Sequence, residues 1–171
     1  MKNSVNNTYK SVNEEVKSYA PKSTERVRLK KQLKKMENDF YDIPLIINGE
    51  NIKTDDIGIC IKPHKYKETL AQYHKASEKD VNHAINTALD AWKEWSNYPL
   101  EERIAIFRKA AKLLSGPWRD VINSATMLNQ SKNVYQAEID SACELIDFFN
   151  FNSEFAENIY NQQPLISPKG T

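Results

Sequence analysis

Glycine is the residue that most restricts this chain. Four glycines in 171 residues, Gly49, Gly58, Gly116 and Gly170, compare with the roughly 7% of an average soluble protein, about 12 at this length. They lie so far apart that neither G-x-G-x-x-G nor G-x-x-x-x-G-K-[ST] can be written anywhere. A nucleotide enzyme that works through a phosphate-cradling loop is therefore not complete in this sequence. Lys and Arg number 24 against 23 Asp and Glu, a formal net charge of +1. That balance does not announce a nucleic-acid or membrane-surface binder. With 40% hydrophobic residues the chain can build a core, and its length suits one domain or a large piece of one.

Metal and thiol chemistry are disfavoured next. Cys60 and Cys143 belong to no C-x-x-C pair. Cys143 has Glu144 beside it, which would raise its pKa, and Cys60 falls in an expected strand, so neither is read as a nucleophile. His64, His74 and His83 share no metal-ligand spacing and are read as ordinary polar residues. No run approaches 18 apolar residues, so no membrane span is expected. The N-terminus lacks a signal core, and Glu14 and Glu15 interrupt any Arg-rich transit helix. An intracellular, reducing compartment is expected, with the organelle open.

Residues 1–22 are rich in Asn, Ser, Lys and Glu and are read as a disordered tail. Residues 23–41 form a basic amphipathic helix, capped by Ser23 or Thr24, with Leu29, Leu33, Met36 and Phe40 as its apolar stripe. Its Lys and Arg residues would suit a nucleic-acid arm, but no aromatic is interleaved for base stacking, so a solvated face on a docked helix is preferred. Residues 44–76 hold a small antiparallel patch of about four strands, the first two joined by an Asn48-Gly49 turn. Residues 78–158 are helical. Ser77 to Asp80 is a capping-box start, Val81, Ala84, Ile85, Ala88, Trp92 and Trp95 mark one inner face, and Leu100, Ile104, Phe107, Ala111 and Leu114 mark the next helix after Pro99. Trp92, Trp95 and Trp118 are expected to anchor a core or an interface. A shorter helix covers about Trp118 to Leu128, Asn133 caps a long last helix to about Asn158, and residues 159–171 turn extended.

The last helix carries the most unusual pattern. Most of its circumference is apolar or small, yet at 100° per residue Gln136, Asp140, Glu144 and Asp147 fall on one polar stripe. Carboxylates on a largely buried helix need a cation, because an unpaired buried charge costs several kcal/mol. That cation is either an Arg or Lys of the protein or an ammonium on a ligand.

Several segments together resemble the start of the NAD-dependent aldehyde dehydrogenase superfamily: Ile43-Pro44-Leu45-Ile46-Ile47, Ala88-Leu89-Asp90-Ala91-Trp92-Lys93-Glu94-Trp95 and the run Arg103 to Ala111. Leu113 to Pro117, Gln136 to Asp140 and Glu144 to Asn152 resemble its delta-1-pyrroline-5-carboxylate dehydrogenase branch. The resemblance implies an α/β aldehyde dehydrogenase-like fold present as a truncated, mostly helical front end over residues 43–171. It implies oxidation of L-glutamate 5-semialdehyde to L-glutamate in proline catabolism, with NAD as cofactor and a homo-oligomer in the full-length family. The family's nucleophilic Cys, general-base Glu and NAD site would lie beyond Thr171, so this chain alone is expected to be inactive and not to bind NAD. Glu144 is the one site residue carried over, facing the substrate's α-ammonium. The family also suggests the mitochondrial matrix, with the cytoplasm as the other possibility. A non-enzymatic helical module that binds a partner remains the alternative. The inner helix faces, Trp92, Trp95, Phe107 and Phe149 among them, are expected to lie open.

Overall fold

A computed structural model describes residues 10–162 and 164. Helix α1 spans Thr24–Asn38, and the Ser23 side chain accepts from the Arg26 N–H at its start. Leu29 and Met36 are buried while the basic face points outward. The helix stops at Asn38, short of Phe40, which is exposed. The chain extends there instead and enters β1, Tyr41–Ile43.

Five short strands form two sheets. β2 (Leu45–Ile47) and β3 (Glu50–Ile52) make an antiparallel hairpin. Its turn residues Asn48 and Gly49 both take positive φ, 54° and 77°, the geometry that a two-residue primed turn requires. β4 (Ile57–Lys62) and β5 (Lys65–His74) pair antiparallel, and β1 joins β5 in parallel. The strand β1 and its parallel pairing were not anticipated. Three residues, Tyr41-Asp42-Ile43, are too short a run to establish a strand period. Asp42 then ties the two sheets together. It accepts from Lys53 after β3, from Gln72 on β5 and from the His74 ring, and the Lys53 ammonium holds its carboxyl at about 2.

The helices follow. α2 is Glu78–Trp95, started by the Ser77–Asp80 capping box, and none of its residues is buried. α3 is Leu100–Ser115 and α4 is Arg119–Gln130. Asn133 caps α5, Val134–Ala137; the helix then opens into a π turn over Glu138–Cys143 and continues as α6, Glu144–Asn161. The extended end expected from residue 159 does not start there, because Ile159 to Asn161 stay helical. Most of the remaining C-terminal residues lie outside those described.

Two small apolar clusters hold the elements together. Met36, Leu70 and Leu128 join α1, β5 and α4. Ala111, Ala142 and Ile146 join α3 to the last helix, with Phe149 half-buried against them. Phe149 was expected to be open; its place beside Phe107, 5.9 Å between ring centres, covers it. Trp92, Trp95 and Trp118 are all exposed instead of anchoring a core.

The main departure concerns the N-terminal segment. Residues 1–9 lie outside the described part, but Lys10 to Lys22 form an ordered extended strap, not a disordered tail. The strap runs antiparallel along the last helix. Ser11 donates to Glu154 and to the Asn150 carbonyl, the Glu14 N–H and Asn13 side chain donate to Asp147, and the Lys17 N–H and Tyr19 hydroxyl donate to Glu138. Tyr19 is 2% exposed. A segment poor in apolar residues is ordered here by hydrogen bonds to carboxylates, which a hydropathy reading does not weigh.

Candidate functional site

The π turn decides which way each polar residue of the last helix faces. Its widened register adds a residue, so the 100° count used for a regular helix does not hold across Glu138–Cys143. The four residues of the expected stripe accordingly have four different surroundings. Gln136 accepts from the Asn133 N–H and completes the α5 cap. Asp140 takes Lys132, 2.6 Å away. Asp147 is bound by the strap. Glu144 alone has no hydrogen-bond or ion partner among the described residues.

Glu144 stands in a cleft of about 370 Å³ between α4 and the last helix. Ile122, Leu145 and Phe148 supply its apolar wall, and Thr126 and Ser141, hydrogen-bonded to each other at 2.8 Å, supply a polar one. Lys132 also lines it, but its ammonium is taken by Asp140. The cleft thus offers one unneutralised carboxylate beside apolar and hydroxyl groups, a setting for a cationic head on a short aliphatic body.

At the other end of the π turn, also against α4, lies a buried ionic cluster that sequence reasoning missed. Glu138 is 0% exposed and Arg119 2%. The guanidinium donates to Glu138 through Nε and Nη2, to Glu14 and to the Glu15 carbonyl, and Nη2 also reaches Cys143 Sγ at 3.4 Å. Asn123 and the Tyr19 hydroxyl donate to the same carboxylate. Burial would push the Glu138 carboxyl up, but Arg119, the Lys17 N–H and Tyr19 together hold it below its usual range. Burial, reinforced by the Glu138 charge, pushes the Cys143 thiol up to about 11. Cys143 is therefore a protonated, enclosed thiol. Cys60 sits within β4, opposite Ala71 of β5. Both cysteines are free.

His64 Nδ1 meets Ser131 Oγ at 2.8 Å and ties the β4–β5 turn to the end of α4. His74 is buried against Thr54 and Asp42. His83 lies on the exposed α2. The three histidines serve separate places in the fold. Among the described residues no helix is long and apolar enough to cross a membrane.

Comparison with known proteins gives this geometry a family. A model of the aldehyde dehydrogenase family matches residues 53–171. The Schizosaccharomyces pombe protein named probable delta-1-pyrroline-5-carboxylate dehydrogenase is 42% identical over 153 residues, which are 89% of this chain and 28% of that protein. The human mitochondrial delta-1-pyrroline-5-carboxylate dehydrogenase is 41% identical over 162 residues, 95% of this chain and 29% of its own. Among solved structures, the Mycobacterium tuberculosis delta-pyrroline-5-carboxylate dehydrogenase bound with NAD and cobalamin superposes with a TM-score of 0.92 at 41% identity, over 98% of this chain and 32% of that one. The Thermus thermophilus 1-pyrroline-5-carboxylate dehydrogenase shares the fold, with a TM-score of 0.86 at 24% identity over 96% of this chain and 31% of that one. This chain spans a little under a third of the length of these relatives. A mostly helical, glycine-poor fold that coincides with part of these structures, and a family match over more than half of its residues, place the chain in the aldehyde dehydrogenase family.

Proposed function

We propose that this chain is the front portion of an NAD-dependent dehydrogenase that oxidises L-glutamate 5-semialdehyde to L-glutamate, and that Glu144 receives the substrate's α-ammonium. The observation that carries the reading is the unpaired Glu144 carboxylate in a cleft whose other cation, Lys132, is neutralised by Asp140. An ordinary aliphatic aldehyde has no group to meet that charge. Phe148 and Leu145 would flank the aliphatic part of the substrate.

The remaining chemistry belongs elsewhere in the enzyme. NAD would accept the hydride, but the described residues do not fit it. Gly49 is spent in a hairpin turn, a side chain at Gly58 would strike the Tyr73 ring, and Gly116 ends α3. Burial holds the Cys143 thiol protonated, which suits it poorly to act as the nucleophile. The proposal is therefore an enzyme segment that shapes the substrate pocket and is silent alone.

Two measurements test it. The purified chain, given glutamate semialdehyde and NAD, is expected to form no NADH; production abolished by Cys143→Ala would overturn the assignment of silence. Substituted for the matching segment of the S. pombe relative, the chain is expected to support oxidation, and Glu144→Gln to raise KM for the semialdehyde about 10- to 100-fold, the loss of one charge-assisted contact. An unchanged KM would remove Glu144 from the pocket.

A partner-binding module without enzymatic activity is the second reading, and one observation favours it. The apolar face of α2 is uncovered, with Val81, Ile85, Leu89 and Trp92 between 49% and 64% exposed. A monodisperse chain that leaves a hydrophobic dye silent would support that module, and strong dye binding would support the enzyme segment.

A further inference from the structure

The buried cluster and the substrate cleft both lie between the last helix and α4, and the π turn joins them. Arg119 touches both ends of that turn: Glu138, its first residue, and Cys143, its last. Glu144 follows immediately, and its N–H closes the wide turn on the Ile139 carbonyl. A π turn holds one extra residue, and that residue can migrate along a helix, because each step exchanges one set of backbone hydrogen bonds for another. Each one-residue shift rotates the side chains it passes by about 100°. Were the extra residue to slide beyond Glu144, the carboxylate would leave the cleft.

We propose that the Arg119–Glu138 pair, clamped by the Lys10 to Lys22 strap, pins the extra residue within Glu138–Cys143 and thereby aims Glu144 into the cleft. Arg119 and Glu138 are positioning residues. They touch no substrate and act through the helix register.

Three observations converge on this role. Glu138 gathers four donors from two separate parts of the chain: Arg119 and Asn123 of α4, and the Tyr19 hydroxyl and Lys17 backbone of the strap. Such convergence fixes a side chain far more tightly than one ion pair does. The strap holds the helix below the turn as well, through Asp147 and Glu154, so α6 cannot rotate to follow a migrating residue. Asn133 holds the segment above it through its cap on Tyr135 and Gln136. With both flanks fixed, the place of the extra residue is the remaining variable, and Arg119 spans the stretch that contains it.

The register claim is independent of what binds in the cleft; only its consequence for substrate rests on the proposed function. Amide hydrogen exchange on the 171-residue chain tests the register. Glu138→Gln is expected to lower protection of the Glu144 amide at least about tenfold more than that of the α3 amides, the loss of one charge-assisted hydrogen bond acting locally. Tyr19→Phe, which keeps the ring and removes one donor, is expected to give a smaller loss at the same amide and decides the matter if Glu138→Gln does not fold. Unchanged protection at Glu144, or equal loss in α3 and α6, would overturn the proposal.

The same Glu138→Gln change in the S. pombe chimera is expected to raise KM for the semialdehyde about tenfold while leaving KM for an aldehyde without an ammonium unchanged. An equal rise for both aldehydes would show only a loosened fold and would overturn it. Glu144→Gln in that chimera reads the proposed function by itself: no effect there removes the ammonium contact, while hydrogen exchange still decides the register.

Discussion

Glu138 is held ionised in the protein interior, where an uncompensated charge is expensive. Removing its carboxylate leaves Arg119 with Glu14 and the Glu15 carbonyl only and leaves the Asn123 and Tyr19 donors without it, so Glu138→Ala is expected to lower unfolding stability by about 3–5 kcal/mol, and urea denaturation would measure it. Because its folded pKa lies below the ordinary value of 4.5, the unfolded chain takes up the proton first on acidification. This contribution is present above about pH 4.5 and is lost as pH falls through the lower folded value. Cys143 acts at the other end of the scale. Its thiol ionises near 9 when unfolded and near 11 when folded, so stability is expected to fall as pH rises from 9 to 11. Cys143→Ser should flatten that alkaline limb of a pH–stability curve. Neither residue was legible as a partner of the other. Five positions separate them, which a regular helix places on different faces, and Arg119 is remote in sequence from both. Glu144 was singled out by a family segment rather than by spacing, and the structure adds that its neighbours Asp140 and Lys132 satisfy each other.

Local rules were readable where one or two residues settle a conformation. Ser77 with Asp80, Asn133 with Gln136, and Asn48 with Gly49 each form the cap or turn that their chemistry dictates. The α2 cap is expected to matter more than usual, since α2 buries none of its residues and has little packing to fall back on. Ser77→Ala should therefore lower α2 amide protection by the roughly 1 kcal/mol of a lost cap while leaving α3 unchanged. The strap and the π turn were not readable. The strap has few apolar side chains and is ordered by carboxylates on a helix that comes more than a hundred residues later. The π turn leaves no mark on a periodicity count until the surroundings of Asp140, Glu144 and Asp147 are known to differ.

At the level of the molecule, the two cores are small and much apolar surface is left uncovered. Trp92 is 64% exposed and Phe148 60%, and the relatives are about three times as long as this chain. Strong binding of a hydrophobic dye is expected, and Trp92→Ser should reduce it without lowering the melting temperature; a dye-silent chain would contradict this. The mostly helical build and small strand patch were readable because helical periods dominate the sequence after Ser77. The closure by the strap was not, since it depends on Lys10 to Lys22 meeting the last helix. That closure sets an order of events during synthesis. Ser11 bonds Glu154 across 143 positions, so the strap leaves the ribosome early and waits until the last helix has been made before it can dock. Until then Arg119 and Glu138 are without their cover, and the burial of that ion pair cannot precede synthesis of the helix onto which the strap fastens.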